Sequence, residues 1–346
     1  MQRVLLLAGF LCLAVAGCGW GTAQTGAIPS KNLTPQTLFV MNGGVRDKSG
    51  SIVAGYVAAF APPYTDAPTI IRAGLTTPLS LATDAAGNLF VGTFSDQRVN
   101  VYVPPYTGTP TTISDGVHTA IALVLDPAGN LFVLNHYLTA GDFSHGSVTE
   151  YAPPYTGPAK TTVTPSGPFA MLQDATGKLI IGRDTELDVF APPFSGPPVS
   201  RTQYTSFSPR RFALDVAGNL FVASSGFSEG AVLILAPPYT GTPTTVGTGV
   251  STPVAVVVDP AGALFVCNFS TSTVTEYAPP YVGPPIATIN NGVNEPRDIA
   301  LDRMGNLYAA NSGNDTVTVY APPYTGRPVT TISTGLKGPY GLLLSP

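Results

Sequence analysis

The sequence predicts an all-β protein: a seven-bladed β-propeller of four-stranded antiparallel blades, closed by pairing of the N- and C-terminal segments in one blade. Three observations predict it. A proline motif, cleanest as Tyr320-Ala321-Pro322-Pro323-Tyr324-Thr325-Gly326-Arg327-Pro328, is written seven times, with starts at Phe60, Tyr102, Tyr151, Phe190, Leu235, Tyr277 and Tyr320. These starts lie 39 to 49 residues apart, the period of a repeat that forms one blade. A second register runs in step with the first. Pro78 to Asp84, Pro168 to Asp174, Pro209 to Asp215, Pro253 to Asp259 and Pro296 to Asp302 each span six positions, and Ala120 to Asp126 and Pro339 to Ser345 keep the spacing.

The last full unit justifies the strands in order. Ile299-Ala300-Leu301 is a short apolar inner strand. Asp302-Arg303-Met304-Gly305-Asn306 is a turn, with Asp bonding its own backbone and Gly taking positive φ. Leu307 to Ala310 is the second strand, and the alternating, β-branched Thr316 to Tyr320 is the third. Val329 to Ile332 is the fourth. The body begins in mid-unit, with Leu38-Phe39-Val40 as a second strand, and ends on an inner strand, Tyr340 to Leu344. The two ends must therefore share the first blade, which removes an open, aggregation-prone edge.

The prolines explain the third-to-fourth turn. Pro322-Pro323 removes two backbone donors and ends the third strand. Gly326 is expected to supply the left-handed residue, and Tyr324 to lie over the proline rings. Pro328 opens the fourth strand at the outer edge, where a missing N–H is tolerated. The seven aromatics Tyr64, Tyr106, Tyr155, Phe194, Tyr239, Tyr281 and Tyr324 read first as parts of a rigid cap. The alternative is a ring that grips a glycan or the envelope surface.

The N-terminus is an address. Arg3 and the apolar run from Val4 to Ala16 form a secretory signal, too short for a permanent membrane span. Val15-Ala16-Gly17-Cys18 resembles the bacterial lipobox, which implies removal of residues 1–17 and lipidation of Cys18. Cleavage after Ala14-Val15-Ala16 is the competing reading. Residues 18–36 read as a flexible tether and 37–346 as one propeller. The expected location is the cell envelope, exported and lipid-anchored, with Gly19 favouring an outer membrane if the cell is Gram-negative.

Composition excludes more than it assigns. Charged residues make up 10% of the chain, against about 25% in ordinary soluble domains. The formal charge is −4 with no basic cluster, so a nucleic-acid footprint is missing. Of three cysteines only Cys267 lies in the body, in an apolar run, and reads as a small buried hydrophobe.

The turns between first and second strands, and between third and fourth, are nearly identical in every unit and share one face. The opposite, variable face carries loops of unequal length, the longest between Gly43 and Ala54 and between His136 and Ser147. Differentiated loops on a common scaffold are where binding concentrates. His118, His136 and His145 belong to that face near the third blade, as polar loop residues. Their spacing does not converge on a metal, and none is expected, nor any cofactor. A stronger constellation starts the inner strands. The residue after the first proline or alanine is Leu79, Ile121, Phe169, Val254 or Tyr340 in five blades, but Arg210 and Arg297 in two. The next is Ser80, Ala122, Ala170, Ala255 or Gly341 in five, but Arg211 and Asp298 in two. Arg210, Arg211, Arg297, Asp298 and Tyr340 are thus the candidate ligand residues at the channel mouth, with Asp298 orienting one guanidinium.

Pro296 to Asp302, Gly305 to Tyr308 and the Thr316–Tyr320 strand resemble NHL repeats over about 300 residues, with the proline motif as a departure. The resemblance implies a propeller and leaves activity open. Propellers similar to these include gluconolactonase-type lactonases and streptogramin lyases, which imply a metal or a catalytic histidine near the channel. Glu150, Glu186, Glu276, Glu229 and Glu295 do not fit the lactonase ligand position, and no histidine starts an inner strand. The favoured expectation is a non-catalytic monomer that binds an envelope protein, a glycan or a small acidic ligand. The alternative is a propeller hydrolase or lyase with its site at the channel mouth.

Overall fold

The computed structural model describes residues 36–43, 54–94, 96–137, 145–204, 208–225 and 230–346. The signal segment, Cys18 and nearly all of the tether lie outside the described residues, as do the centres of the two long variable-face loops. Among the described residues, twenty-eight strands form seven four-stranded antiparallel sheets. Blade one joins the last strand of the chain to the first three. Blades two to seven follow as residues 78–113, 119–163, 168–203, 209–246, 253–289 and 296–332. Each inner strand packs beside the next, and the ring closes where Pro296–Leu301 meets Pro339–Leu344.

Closure takes the form expected from the two ends. Leu38 pairs with Leu344, Phe39 with Leu343 and Val40 with Leu342. Outside the ladder, the Thr37 N–H donates to Ser345 Oγ at 2.8 Å, and the Gln36 amide donates to the Ser345 carbonyl at 2.5 Å. Second-strand residues are buried in an unbroken run, because both faces of each sheet are covered by neighbouring blades.

Each repeated turn is locked from within. At Asp84, Asp126, Asp215 and Asp302, Oδ1 accepts the backbone N–H groups two and four residues on, and Oδ2 accepts the Asn side-chain amide. Both carboxylate oxygens are thereby used inside the turn.

The proline motif differs from expectation in two respects. The Pro-Pro bond before the aromatic is cis in all seven copies, and the aromatic N–H closes the turn onto the carbonyl three residues back at 2.8–2.9 Å, the hydrogen-bonded type VI arrangement. The left-handed residue is the aromatic itself, φ 61° at Tyr324, rather than Gly326. The aromatic rings do not form a free gripping surface. Each is buried or half-buried, and six of them stand edge-on to a ring in the preceding blade: Tyr324 to Phe265 at 5.0 Å, Tyr106 to Phe39 at 5.3 Å, Tyr64 to Tyr308 at 6.0 Å. The hydroxyls of Tyr106, Tyr155, Tyr239, Tyr281 and Tyr324 donate to the glycine carbonyl of the aspartate turn in their own blade at 2.7–3.0 Å. The motif is an inter-blade joint, which explains why it is repeated so closely.

Candidate ligand site at the channel mouth

A regular backbone irregularity builds the mouth. In each blade the register shifts by one residue just after the inner strand begins, so a bulge falls at Leu79, Ile121, Phe169, Arg210, Val254, Arg297 and Tyr340. A bulge re-aims its side chain out of the ladder. Those seven residues are half-buried or exposed, whereas the residues that follow them are buried. The result is a ring of seven side chains around the channel on the variable face, five apolar or aromatic and two cationic.

The bulge separates the five candidate residues into two levels. Arg210 and Arg297 are exposed at the mouth, with Tyr340 half-buried beside them. Arg211 and Asp298, expected to share the mouth, lie beneath it at 1% and 2% exposure. They face the channel because they follow the bulge, and there they pair, Arg211 Nη2 to Asp298 Oδ2 at 3.0 Å. Asp298 also accepts the Ile299 N–H at 2.9 Å and the Leu342 N–H at 2.7 Å. One carboxylate thus ties blades five, seven and one together. Burial pushes its pKa up to about 6, against the opposing pull of Arg211 and the two backbone donors. Cys267 lies alongside, donating its thiol to the Pro296 carbonyl at 3.4 Å. Burial and the Asp298 charge hold that thiol well above its ordinary pKa, so it is inert. Arg211 and Asp298 thus form a buried floor beneath the mouth rather than part of its surface.

Above that floor is a cavity of about 650 Å³, lined by Arg210, Ser225, Thr252, Val254, Phe269, Arg297, Ser312, Gly338 and Tyr340. Arg210 Nε donates to Ser225 Oγ at 2.8 Å, and Arg297 Nε donates to Ser312 Oγ at 3.3 Å. The Arg297 guanidinium rests 4.2 Å above the centre of the Phe269 ring. Among the described residues neither arginine has a carboxylate partner. Tyr340 reaches to the neighbouring blade two and donates its hydroxyl to the Pro78 carbonyl. Two smaller grooves, of about 430 and 310 Å³, lie on the uniform face between blades, beside the proline turns.

The serines, Thr252 and Phe269 were silent in the sequence. Their signal is positional: Ser225 and Ser312 each follow the last residue of a second strand, in the two blades that carry a bulged arginine. The preceding second-strand position has its own pattern. Asn42, Asn135, Asn268 and Asn311 are fully buried, and each Oδ1 accepts an N–H from the segment leading to the inner strand, at 2.8–3.2 Å. Blade four replaces this Asn with Arg183 and the facing third-strand residue with Asp188, which pair at 3.0 Å.

The histidines do not line this cavity. His136 ends the Leu131–His136 strand, buried, with its ring edge-on to Phe169 at 5.7 Å, so it is a packed strand residue and not a loop residue. His118 stacks on Tyr137 at 4.1 Å, and burial lowers its pKa. His145 is exposed, and its carbonyl accepts the Tyr137 N–H at 3.0 Å. Among the described residues no group of His, Cys, Asp or Glu side chains is arranged to hold a metal ion.

No protein-family model matches the chain, and no curated protein matches it. Solved structures do. A Lactobacillus plantarum protein is 16% identical, with a TM-score of 0.67 over 90% of this chain and 100% of its own. The virginiamycin B lyase of Staphylococcus aureus is 11% identical, with a TM-score of 0.60 over 75% of this chain and 84% of its own. AztD of Citrobacter koseri is 11% identical, with a TM-score of 0.58 over 90% of this chain and 98% of its own. At such identities the likeness is one of fold: this chain is a seven-bladed β-propeller, and its neighbours on that fold include a lyase and a protein of a different name.

Proposed function

We propose that this chain is an exported, lipid-anchored propeller of the bacterial cell envelope that binds an acidic ligand, or an acidic group on a partner, at the channel mouth, and that it performs no chemistry on it. The observation that carries the reading is the pair of exposed arginines at the cavity, each held at Nε by a serine and each without a carboxylate partner among the described residues. A guanidinium offers a planar fork of donors that matches carboxylate or phosphate oxygens. Proton transfer needs an acid or base within hydrogen-bond reach of the substrate. The cavity lining offers arginine, hydroxyl and apolar groups, which supports binding over a hydrolase or lyase.

The start of the described chain supports an exit of the tether from the uniform face. Gln36 lies on the uniform face, where its carbonyl accepts the Tyr64 hydroxyl at 2.9 Å and its Oε1 accepts the Arg303 N–H at 3.2 Å. A tether running from there to a lipidated Cys18 would leave the mouth on the face away from the anchor. Cys18→Ser is expected to abolish incorporation of labelled fatty acid and to move the protein from the membrane to the soluble fraction. A wild-type chain that takes up no label would place cleavage after Ala16 and remove the anchor from this reading.

The test of binding is capture from the organism's own envelope extract by the full-length chain at low salt. The Arg210→Gln/Arg297→Gln double variant keeps side-chain hydrogen bonding and loses two charges. It is expected to lose the captured component about tenfold or more, since hydrogen bonds to charged groups contribute roughly 1.5–3 kcal/mol each. Retention within threefold by the double variant, with loss on trimming of residues 138–144, would assign binding to the loop instead.

A further inference from the structure

We infer that the ligand of the mouth carries two carboxylates, one for each arginine, joined by an apolar or ring-shaped middle that lies across blade six. This rests on the anion-site reading above and narrows it. Arg210 and Arg297 occupy the same bulged position in blades five and seven, and each is tied to the serine at the same place in its own blade. The device is one unit written twice, two blades apart. A guanidinium held by Nε keeps its Nη groups for a second planar partner, and paired N–H···O bonds to a carboxylate are both strong and directional.

The blade between them is different in kind. Blade six puts Val254 at the bulge and Phe269 at the serine position. The cavity therefore runs from cation to apolar saddle to cation, with the Phe269 ring already covered on one side by the Arg297 guanidinium. The other bulged residues, Leu79, Ile121, Phe169 and Tyr340, are uncharged, so the ring of bulges carries its charge at two points only. A single acid would engage one arginine and leave the other facing an apolar surface. Two acids with an apolar middle engage both and cover the saddle.

The place of the Thr252 hydroxyl points the same way. The residue before the inner-strand proline is Gly167 in blade four and Gly338 in blade one, with φ of 56° and 51°. Blades six and seven place side chains there instead, Thr252 at φ 49° and Glu295 at φ 44°, in a region that disfavours them. The Thr252 hydroxyl lies 2.7 Å from Ser270 Oγ, at the cavity, between the two arginines. Of the two, Thr252 lines the cavity, and its hydroxyl is placed to meet the middle of a ligand lying between the arginines.

The test titrates the full-length chain calorimetrically with straight-chain α,ω-dicarboxylates of increasing length, benzene dicarboxylates and monocarboxylates of matched carbon number. One diacid span is expected to bind at least about tenfold tighter than its matched monoacid. Arg210→Gln and Arg297→Gln should each reduce that diacid to the monoacid level with unchanged melting temperature. Val254→Ser should weaken the diacid and leave the monoacid alone. Equal binding of diacids and monoacids, still weakened by the double arginine change, would overturn the two-acid inference and leave the anion site standing. No binding of either class by a folded wild-type chain at low salt would overturn both.

Discussion

Removal of residues 339–346 is expected to leave a chain that does not fold as a monomer. The segment supplies the inner strand of blade one, and Leu342, Leu343 and Leu344 are 4%, 1% and 5% exposed. Each core aliphatic lost costs about 2–5 kcal/mol, against a total stability of about 5–15 kcal/mol for a native domain. The deletion also strips the Leu38–Asn42 strand of its partner and leaves Asp298 without the Leu342 N–H. Unpaired strand edges then seek other chains, so aggregation should accompany the loss. Scanning calorimetry and light scattering check this. An unchanged transition in a monodisperse sample would mean that the two ends do not share a blade.

The second large effect belongs to the floor of the mouth. Asp298→Ala leaves the Arg211 guanidinium buried without its counter-charge, and removing one partner of a buried pair costs about 3–5 kcal/mol. The double change Arg211→Ala/Asp298→Ala should recover part of that loss. Five blades carry Ser80, Ala122, Ala170, Ala255 or Gly341 at the same position, so the ring tolerates small residues there. A double variant less stable than the single would contradict the pairing. The pair has a pH signature too. The folded Asp298 pKa, about 6, lies above the ordinary 3.8, so between those values the folded chain binds this proton more tightly than the unfolded chain does. This one group therefore makes stability fall as pH rises from about 4 to about 6. Asp298→Asn should remove that component of the slope in chemical denaturation.

The ring of blades was legible because its signals are periodic and redundant. Seven proline motifs, the Pro-to-Asp spacing and the split first blade each imply the same count, and a single atypical copy such as Leu235 does not disturb it. Arg210 and Arg297 were legible as charges at positions where sibling copies carry apolar residues. What sequence could not supply was the one-residue bulge. It turns alternate neighbours to different levels, so Arg210 and Arg211 look equivalent in the chain while one is exposed and the other is sealed beneath it. The role of the aromatic in the proline motif was hidden for a similar reason. Its contacts run to Phe265, Phe39 or Tyr308 in another blade, some 40 or more residues away in sequence or across the closing seam. Ser225 and Ser312 carry no local signal at all, and only their matched register with the two arginines marks them.

The claim that the channel mouth holds an acidic ligand is tested most directly by native mass spectrometry of the full-length chain, purified from its own cells in mild detergent at low salt. The wild-type chain is predicted to carry an acidic adduct that is shed as salt rises and is missing from Arg210→Gln/Arg297→Gln. An adduct that persists on the double variant, or one lost only when residues 138–144 are trimmed, would contradict the claim.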